Sequence, residues 1–252
     1  MQSFSYKAKA ELCRTAVQRL CCARAECYGV LLYCNTFTMQ EVRIITENPE
    51  FAARLPRLFH RAFNVKFDRL PTEETPGSKL IFQITDPDKL RRVVDTLGYD
   101  PRQALVLHVN FAMLEEDCCR VSFLRGAFLA GGSVTDPEKR YHLELSTSHV
   151  QASREVSALL QEMGFLPRSV MRGGSAVIYF KQSEHIEDLL TTLGAPVAAT
   201  EIMTAKVDKE IRNGANRAMN CDMANVNKTL DAVAAQQEAI KKLESAGQLD
   251  KL

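Results

Sequence analysis

The chain has 252 residues, 46% of them hydrophobic and 25% charged, values ordinary for a globular protein long enough to bury a sizeable core. With 32 Lys and Arg against 31 Asp and Glu, the net charge is +1; this excludes a histone-like polycation or an acidic tail protein but leaves room for a local basic patch. There is no run of about 18 apolar residues, and the first residues have no apolar core, so neither a transmembrane helix nor a signal peptide is expected.

In chain order, residues 20–33 read as an apolar helix, followed by short strands at 36–39 and 42–47, where Val42, Ile44 and Ile45 supply β-branched content. Residues 49–63 read as a helix opened by Pro49, with Phe51, Leu55, Leu58, Phe59 and Ala62 forming one apolar stripe. Strands are expected at 65–70 and 79–85, joined by the turn-rich Pro71 to Gly77. A helix at 86–97 begins with Asp86-Pro87, an N-cap and first-turn proline, and stops at Gly98. The same order follows: a helix at 118–130, strands at 133–135 and 140–147, a helix at 149–163, strands at 166–171 and 175–181 around Gly173-Gly174, and a helix at 183–193. Last comes a helix at about 222–245, with Val226, Leu230, Val233, Ile240 and Leu243 on one stripe.

This order is a duplication. Cys21-Cys22 and Cys118-Cys119 lie 97 residues apart, as do Gly29 and Gly126, while residues 80–84 match 176–180 and Thr96-Leu97-Gly98 matches Thr192-Leu193-Gly194 at an offset of 96. So long a period excludes a solenoid. It predicts an α+β fold of two αββαββα copies with approximate twofold symmetry, giving two antiparallel sheets backed by helices. The eight cysteines, with no secretion signal, read as reduced thiols. Adjacent cysteines lack the C-x-x-C spacing of a zinc site, and the five histidines form no ligand pair, so no metal and no cofactor are expected. Glycines at 29 and 126 cost each helix about 1 kcal/mol in propensity, which close helix–helix approach would offset.

Two such helices, Glu26 to Phe37 and Phe123 to Val134, each followed by ββαββ, resemble the LAGLIDADG homing-endonuclease fold over about residues 20–195. The resemblance implies that Gly29 and Gly126 pack at a pseudo-twofold axis. It also implies that an acid near the end of each helix holds the divalent ions for DNA cleavage. The matching positions here are Cys34 and Gly131, which supply no carboxylate, so a fold without the nuclease chemistry is expected. Glu26 and Asp136 sit off the required position.

Three segments carry a sharper resemblance to the WhiA family of bacterial regulators: Ser3 to Leu12, Phe123 to Pro137, and the Asn-rich run Arg212 to Lys228. The resemblance implies a degenerate LAGLIDADG domain followed by a helix-turn-helix, with roles in transcription, sporulation, cell division or chromosome segregation, and a cytoplasmic, nucleoid-associated location. The expected organisation is 1–105, the first repeat with an N-terminal helix; 106–200, the second repeat; and 201–252, a linker and the start of a helix-turn-helix that lacks its turn and recognition helix. In the Asn-rich run, Arg212, Asn216, Arg217, Asn220, Asn225 and Lys228 are DNA-binding candidates, because Arg and Lys neutralise phosphates and Asn bonds phosphates or base edges. The competing reading is a linker whose asparagines cap helix ends and turns, with Asn220 or Asp222 capping the last helix. A second candidate surface is the saddle of sheet faces, with Arg43, Lys66, Lys79, Arg168, Arg172 and Lys181, where solvated strand faces or a protein-binding saddle are the alternatives. DNA is therefore the expected partner, mainly through the C-terminal region, with a protein partner on the duplicated domain and no membrane or small-molecule substrate. The rivals are an interaction scaffold without DNA binding and an active endonuclease.

Overall fold

The computed structural model describes residues 2–17, 19–71, 78–100 and 107–246. The chain divides into two units, residues 1–203 and 204–252.

The first unit begins with α1 (Phe4–Cys13), whose first turn is capped by Ser3 accepting the Tyr6 N–H at 3.1 Å. Then follow α2 (Leu20–Tyr33), β1 (Thr36–Phe37), β2 (Val42–Thr46), α3 (Pro49–Phe63), β3 (Leu80–Ile84) and α4 (Pro87–Thr96). After a short 3-10 turn at Phe111–Met113 the order repeats as α5 (Asp117–Gly131), β4 (Gly132–Val134), β5 (Leu143–Thr147), α6 (Val150–Glu162), β6 (Arg168–Arg172), β7 (Ser175–Phe180) and α7 (Ser183–Leu193). Among the described residues there are two antiparallel sheets, β1-β2-β3 and β4-β5-β7-β6. The helix α8 (Pro196–Ser245) starts in the first unit and supplies the described part of the second.

The elements follow from their residues. In α3 and α4, Asn48 and Asp86 cap the first turn and a proline occupies the next position, where a missing N–H costs nothing. Strand β5 alternates buried Leu143, Leu145 and Thr147 with half-buried Glu144 and Ser146, so one sheet face looks into the core. In contrast α2 is buried over nearly its whole circumference from Cys22 onward, as expected for a helix apolar all round. It lies along α5, and the two form the centre of one continuous core.

The structure departs from the sequence expectations in two places. The strand expected at 65–70 is reduced to a single bridge between Arg69 and Gln83. Val65 and Phe67 are buried and Lys66 and Asp68 exposed, a strand-like alternation, but the Asp68 and Arg69 N–H groups share the Gln83 carbonyl, while the Asp68 carboxylate accepts the Thr85 and Asp86 N–H groups at 2.7 and 2.9 Å. The turn expected across Pro71 to Gly77 lies, from residue 72 on, outside the described residues. The linker expected before residue 222 is instead helix throughout, so Asn220 and Asp222 cap nothing. No proline follows Pro196, so nothing interrupts the backbone ladder, and the start of α8 is held from α1 by Glu11, whose carboxylate accepts the Val197 and Ala198 N–H groups at 2.8 and 3.0 Å. Among the described residues no helix is long and apolar enough to cross a membrane.

Candidate nucleic-acid interface and the central helix pair

The pair α2–α5 is set by its glycines. A Cβ on Gly29 would lie 1.9 Å from the Phe123 carbonyl oxygen, and one on Gly126 would lie 2.0 Å from that of Glu26. The two helix backbones therefore touch, and the contact exchanges its partners under the 97-residue offset. Beside it sits an ionic group that sequence reasoning missed. Glu26 is fully buried; it accepts Arg54 Nε and Nη2 at 2.6 and 2.9 Å and faces Arg125 Nη1 at 3.5 Å. The arginines are in turn held by main-chain oxygens, Arg54 Nη1 by Cys13 and Thr15 and Arg125 Nε by Leu193. With its lone pairs committed to two guanidinium groups, this carboxylate serves packing rather than chemistry.

At the C-terminal ends of the pair lie Cys34 and Gly131. The Cys34 thiol is buried, stands 3.2 Å from both the Leu31 and Thr36 carbonyl oxygens, and is pushed up by burial to about 12. A Cβ on Gly131 would lie 2.4 Å from the Ser146 carbonyl oxygen and 3.0 Å from the Tyr33 ring. Thr147 Oγ1 donates to the Leu32 carbonyl at 2.6 Å, satisfying a last-turn acceptor of α2 from β5.

At the opposite, N-terminal ends the structure brings together the two adjacent-cysteine pairs that the spacing argument took one at a time. Cys21, Cys22, Cys118 and Cys119 come together with all four sulfurs within 4.8 Å of one another. The spacing rule examines residues within one segment; here each helix brings two thiols to the same place. The repeat offset of the two cysteine pairs was the signal that carried this.

The saddle candidates separate on the structure. Arg43 lies on the exposed face of β2, paired with Thr36 and Gln83, and Lys79 precedes β3 with the same parity. Lys66 is exposed but belongs to no ladder. In the second sheet Ser133, Glu144, Tyr179 and Arg168 align across the strands on one face. Arg172 Nη1 reaches Glu144 at 3.1 Å, His142 Nε2 reaches the same oxygen at 3.0 Å, and the Lys181 ammonium sits 5.4 Å from the centre of the Tyr179 ring. Strand β6 is exposed along its whole length. This face is a mixed, partly ion-paired surface, and Glu144 and Tyr179 at its centre were not among the sequence candidates.

In the second unit every residue of α8 from 210 to 242 is exposed. Helical spacing puts Asn213, Asn216, Arg217, Asn220, Asn227 and Lys228 on one face, and Ile211, Ala215, Ala218, Val226, Val233 and Ile240 opposite. Of the sequence candidates, Asn216, Arg217, Asn220 and Lys228 thus share a face, while Arg212 and Asn225 lie to either side of it. Intrahelical bonds order some of these residues, Arg217 Nε donating to the Asn213 carbonyl at 3.3 Å and Thr229 Oγ1 to that of Asn225 at 3.0 Å.

Comparison with known proteins places these features in context. The family model of the WhiA LAGLIDADG-like domain matches residues 120–212, and that of the WhiA C-terminal HTH domain matches residues 215–252. A probable cell division protein WhiA of Ruminiclostridium cellulolyticum is 35% identical over 260 residues, spanning 99% of this chain and 82% of that protein. Among solved structures, full-length DUF199/WhiA from Thermatoga maritima superimposes with a TM-score of 0.71 at 20% identity, over 100% of this chain and 82% of the other. I-DmoI in complex with DNA and Ca superimposes with a TM-score of 0.50 at 16% identity, over 73% of this chain and 98% of the other, a likeness of fold.

Proposed function

The chain belongs to the WhiA family, and we propose that it is a non-catalytic DNA-binding regulator of transcription, sporulation or cell division, acting in the cytoplasm at the nucleoid. The observation that carries this reading is the Asn216, Arg217, Asn220 and Lys228 face of α8, which lies within the region matched by the helix-turn-helix family model. Residues 1–105 and 106–200 are read as the two repeats and 201–252 as the DNA-binding arm. An exposed helix face of Arg, Lys and Asn has the donors that grip phosphates and orient a protein on the duplex.

Absence of catalysis is inferred from the donor set. Divalent-ion cleavage of a phosphodiester needs several oxygen ligands together. Cys34 offers a protonated thiol between two carbonyls, and Gly131 has a carbonyl oxygen where its side chain would begin. On the duplicated domain, the paired charges around Glu144 favour docking of a protein partner over a phosphate saddle.

The test is fluorescence anisotropy with duplex DNA over a salt series, alongside a supercoiled-plasmid nicking assay in Mg2+. Arg217→Ala and Lys228→Ala should each weaken binding and reduce the slope of log K against log salt by about one. Arg212→Ala should do less, its position being off the face. Unchanged affinity in both face variants removes α8 as the DNA contact, and Mg2+-dependent nicking lost on Cys34→Ser overturns the non-catalytic reading.

A further inference from the structure

The geometry points to a structural zinc site formed by Cys21, Cys22, Cys118 and Cys119, which ties the N-terminal ends of α2 and α5 together across the pseudo-twofold axis. Each helix contributes two adjacent thiols from its first turn, and the four sulfurs lie within 4.8 Å of one another. The pair Cys21-Cys22 on α2 meets the pair Cys118-Cys119 on α5, and all four are free thiols. The 97-residue offset turns one of these pairs into the other, so the axis runs through the middle of the quartet, where a single ion would sit.

The dimensions and donors select the ion. A tetrahedral centre with Zn–S bonds of about 2.3 Å requires sulfur–sulfur edges of roughly 3.8 Å. Sulfurs already within 4.8 Å of one another exceed that spacing by at most about 1 Å. An iron–sulfur cluster interposes several irons and sulfides between its thiolates and needs a wider cage. Magnesium and calcium take oxygen ligands, whereas thiolates suit zinc. Four protein ligands leave no open position, so the ion would be structural.

The surroundings suit a centre of net charge −2. Two helix N-termini direct their positive ends at it, and Arg19 Nη1 donates to Cys118 Sγ at 3.7 Å. Loading is Zn2+ plus four thiols giving the tetrathiolate and four protons, and affinity accordingly falls as pH falls. Cys21 is exposed and Cys118 half-exposed, which opens a path for the ion.

The test uses the full chain, purified with its thiols reduced and without oxygen, loaded with Zn2+ and freed of excess metal. Elemental analysis should find one zinc per chain. The exposed pair Cys21→Ser/Cys118→Ser, checked for folding by circular dichroism, should lose it; Cys221→Ser, in the other unit, should keep it. Independently of any variant, Co2+ on the unaltered chain should give intense thiolate-to-cobalt charge transfer and the visible bands of tetrahedral cobalt, both erased by Zn2+. The proposal is overturned by any of four results: no stoichiometric zinc on the reduced chain, zinc retained by Cys21→Ser/Cys118→Ser, cobalt without thiolate charge transfer, or iron and sulfide bound in preference to zinc.

Discussion

Replacing Gly126 by alanine sets two effects of opposite sign against each other. In a helix interior the change is worth about 1 kcal/mol in favour of folding. Against it, the new methyl would stand 2.0 Å from the Glu26 carbonyl oxygen, 2.9 Å from its carbon and 3.0 Å from the Val30 nitrogen. Carbon–oxygen contacts settle at about 3.3 Å or more, so α2 and α5 must part locally by roughly 1.3 Å. Gaps of 0.5–1 Å already forfeit about a quarter to a half of each dispersion contact. Overpacking of a core costs about 1–3 kcal/mol when side chains can yield; here the obstacles are backbone, and the loss runs along a helix pair at the centre of the core. A net destabilisation of about 2 kcal/mol is expected, which for a unit of this size lowers Tm by about 4–8 °C. Thermal and urea unfolding followed by circular dichroism measure it. Gly214→Ala is the built-in comparison: its methyl meets nothing within 4 Å on the exposed α8, so there only the propensity gain of up to about 1 kcal/mol should remain. A Gly126→Ala protein as stable as the parent would refute the close backbone contact.

Further outcomes follow from the same geometry. Glu26→Ala leaves Arg54 and Arg125 buried beside an empty space and should cost about 3–5 kcal/mol in urea unfolding; a loss below about 1 kcal/mol would show that the network contributes little. Glu144 is subject to burial, which raises its pKa, but the His142 hydrogen bond and the charge and hydrogen bond of Arg172 outweigh it and hold the group below the usual carboxylate range. Its stabilisation is therefore present above the unfolded carboxylate pKa of about 4.3 and lost as pH falls through the lower folded value. Glu144→Gln should lower the unfolding free energy from urea titration at neutral pH, by at most about 1 kcal/mol given the exposure of Arg172, and converge with the parent in strong acid. A difference that persists in acid would assign the effect to packing. Restoring acids with Cys34→Asp/Gly131→Asp should lower Tm and produce no Mg2+-dependent nicking, because the Gly131 Cβ position is 2.4 Å from the Ser146 oxygen; nicking by this variant would show that the end of the helix pair can still open to a hydrated ion.

What could be read from the sequence was what is local or repeated. The caps at Asn48 and Asp86, the β5 alternation, and the order of helices and strands each sit within a few residues, and the 97-residue offset linked one copy to the other. The Asn-rich run misled because composition was weighed above continuity. Each asparagine costs a helix about 0.7 kcal/mol at most, whereas a break needs a proline or an alternative set of hydrogen bonds, and between Pro196 and Ser245 there is none of the former. Glu26 could not be paired with Arg54 and Arg125 from the sequence, because the partners lie 28 and 99 residues away and only the packed core brings them together. The strand at 65–70 had the right alternation, but the Asp68 and Arg69 N–H groups both donate to the one Gln83 carbonyl, so the pairing stops at a single bridge.

The two ends of the α2–α5 pair are chemically opposite, and the reason lies in how a helix terminates. At the C-terminal end, free carbonyls and a negative dipole suit a cation. Here Thr147 Oγ1 takes the Leu32 oxygen, Cys34 Sγ lies between two others, and the Ser146 oxygen fills the space beyond Gly131, so the groups that could have met a hard ion are spent on one another. At the N-terminal end the positive dipole favours anions, and there the chain places four thiols, which become anions only when deprotonated. If zinc holds them, chelation should loosen the very contact that Gly126→Ala prises apart, since both act on the same pair of helices. The two perturbations should then be non-additive: removing zinc from Gly126→Ala should cost less than removing it from the parent. Full additivity would mean that the cysteine end and the glycine contact are energetically separate.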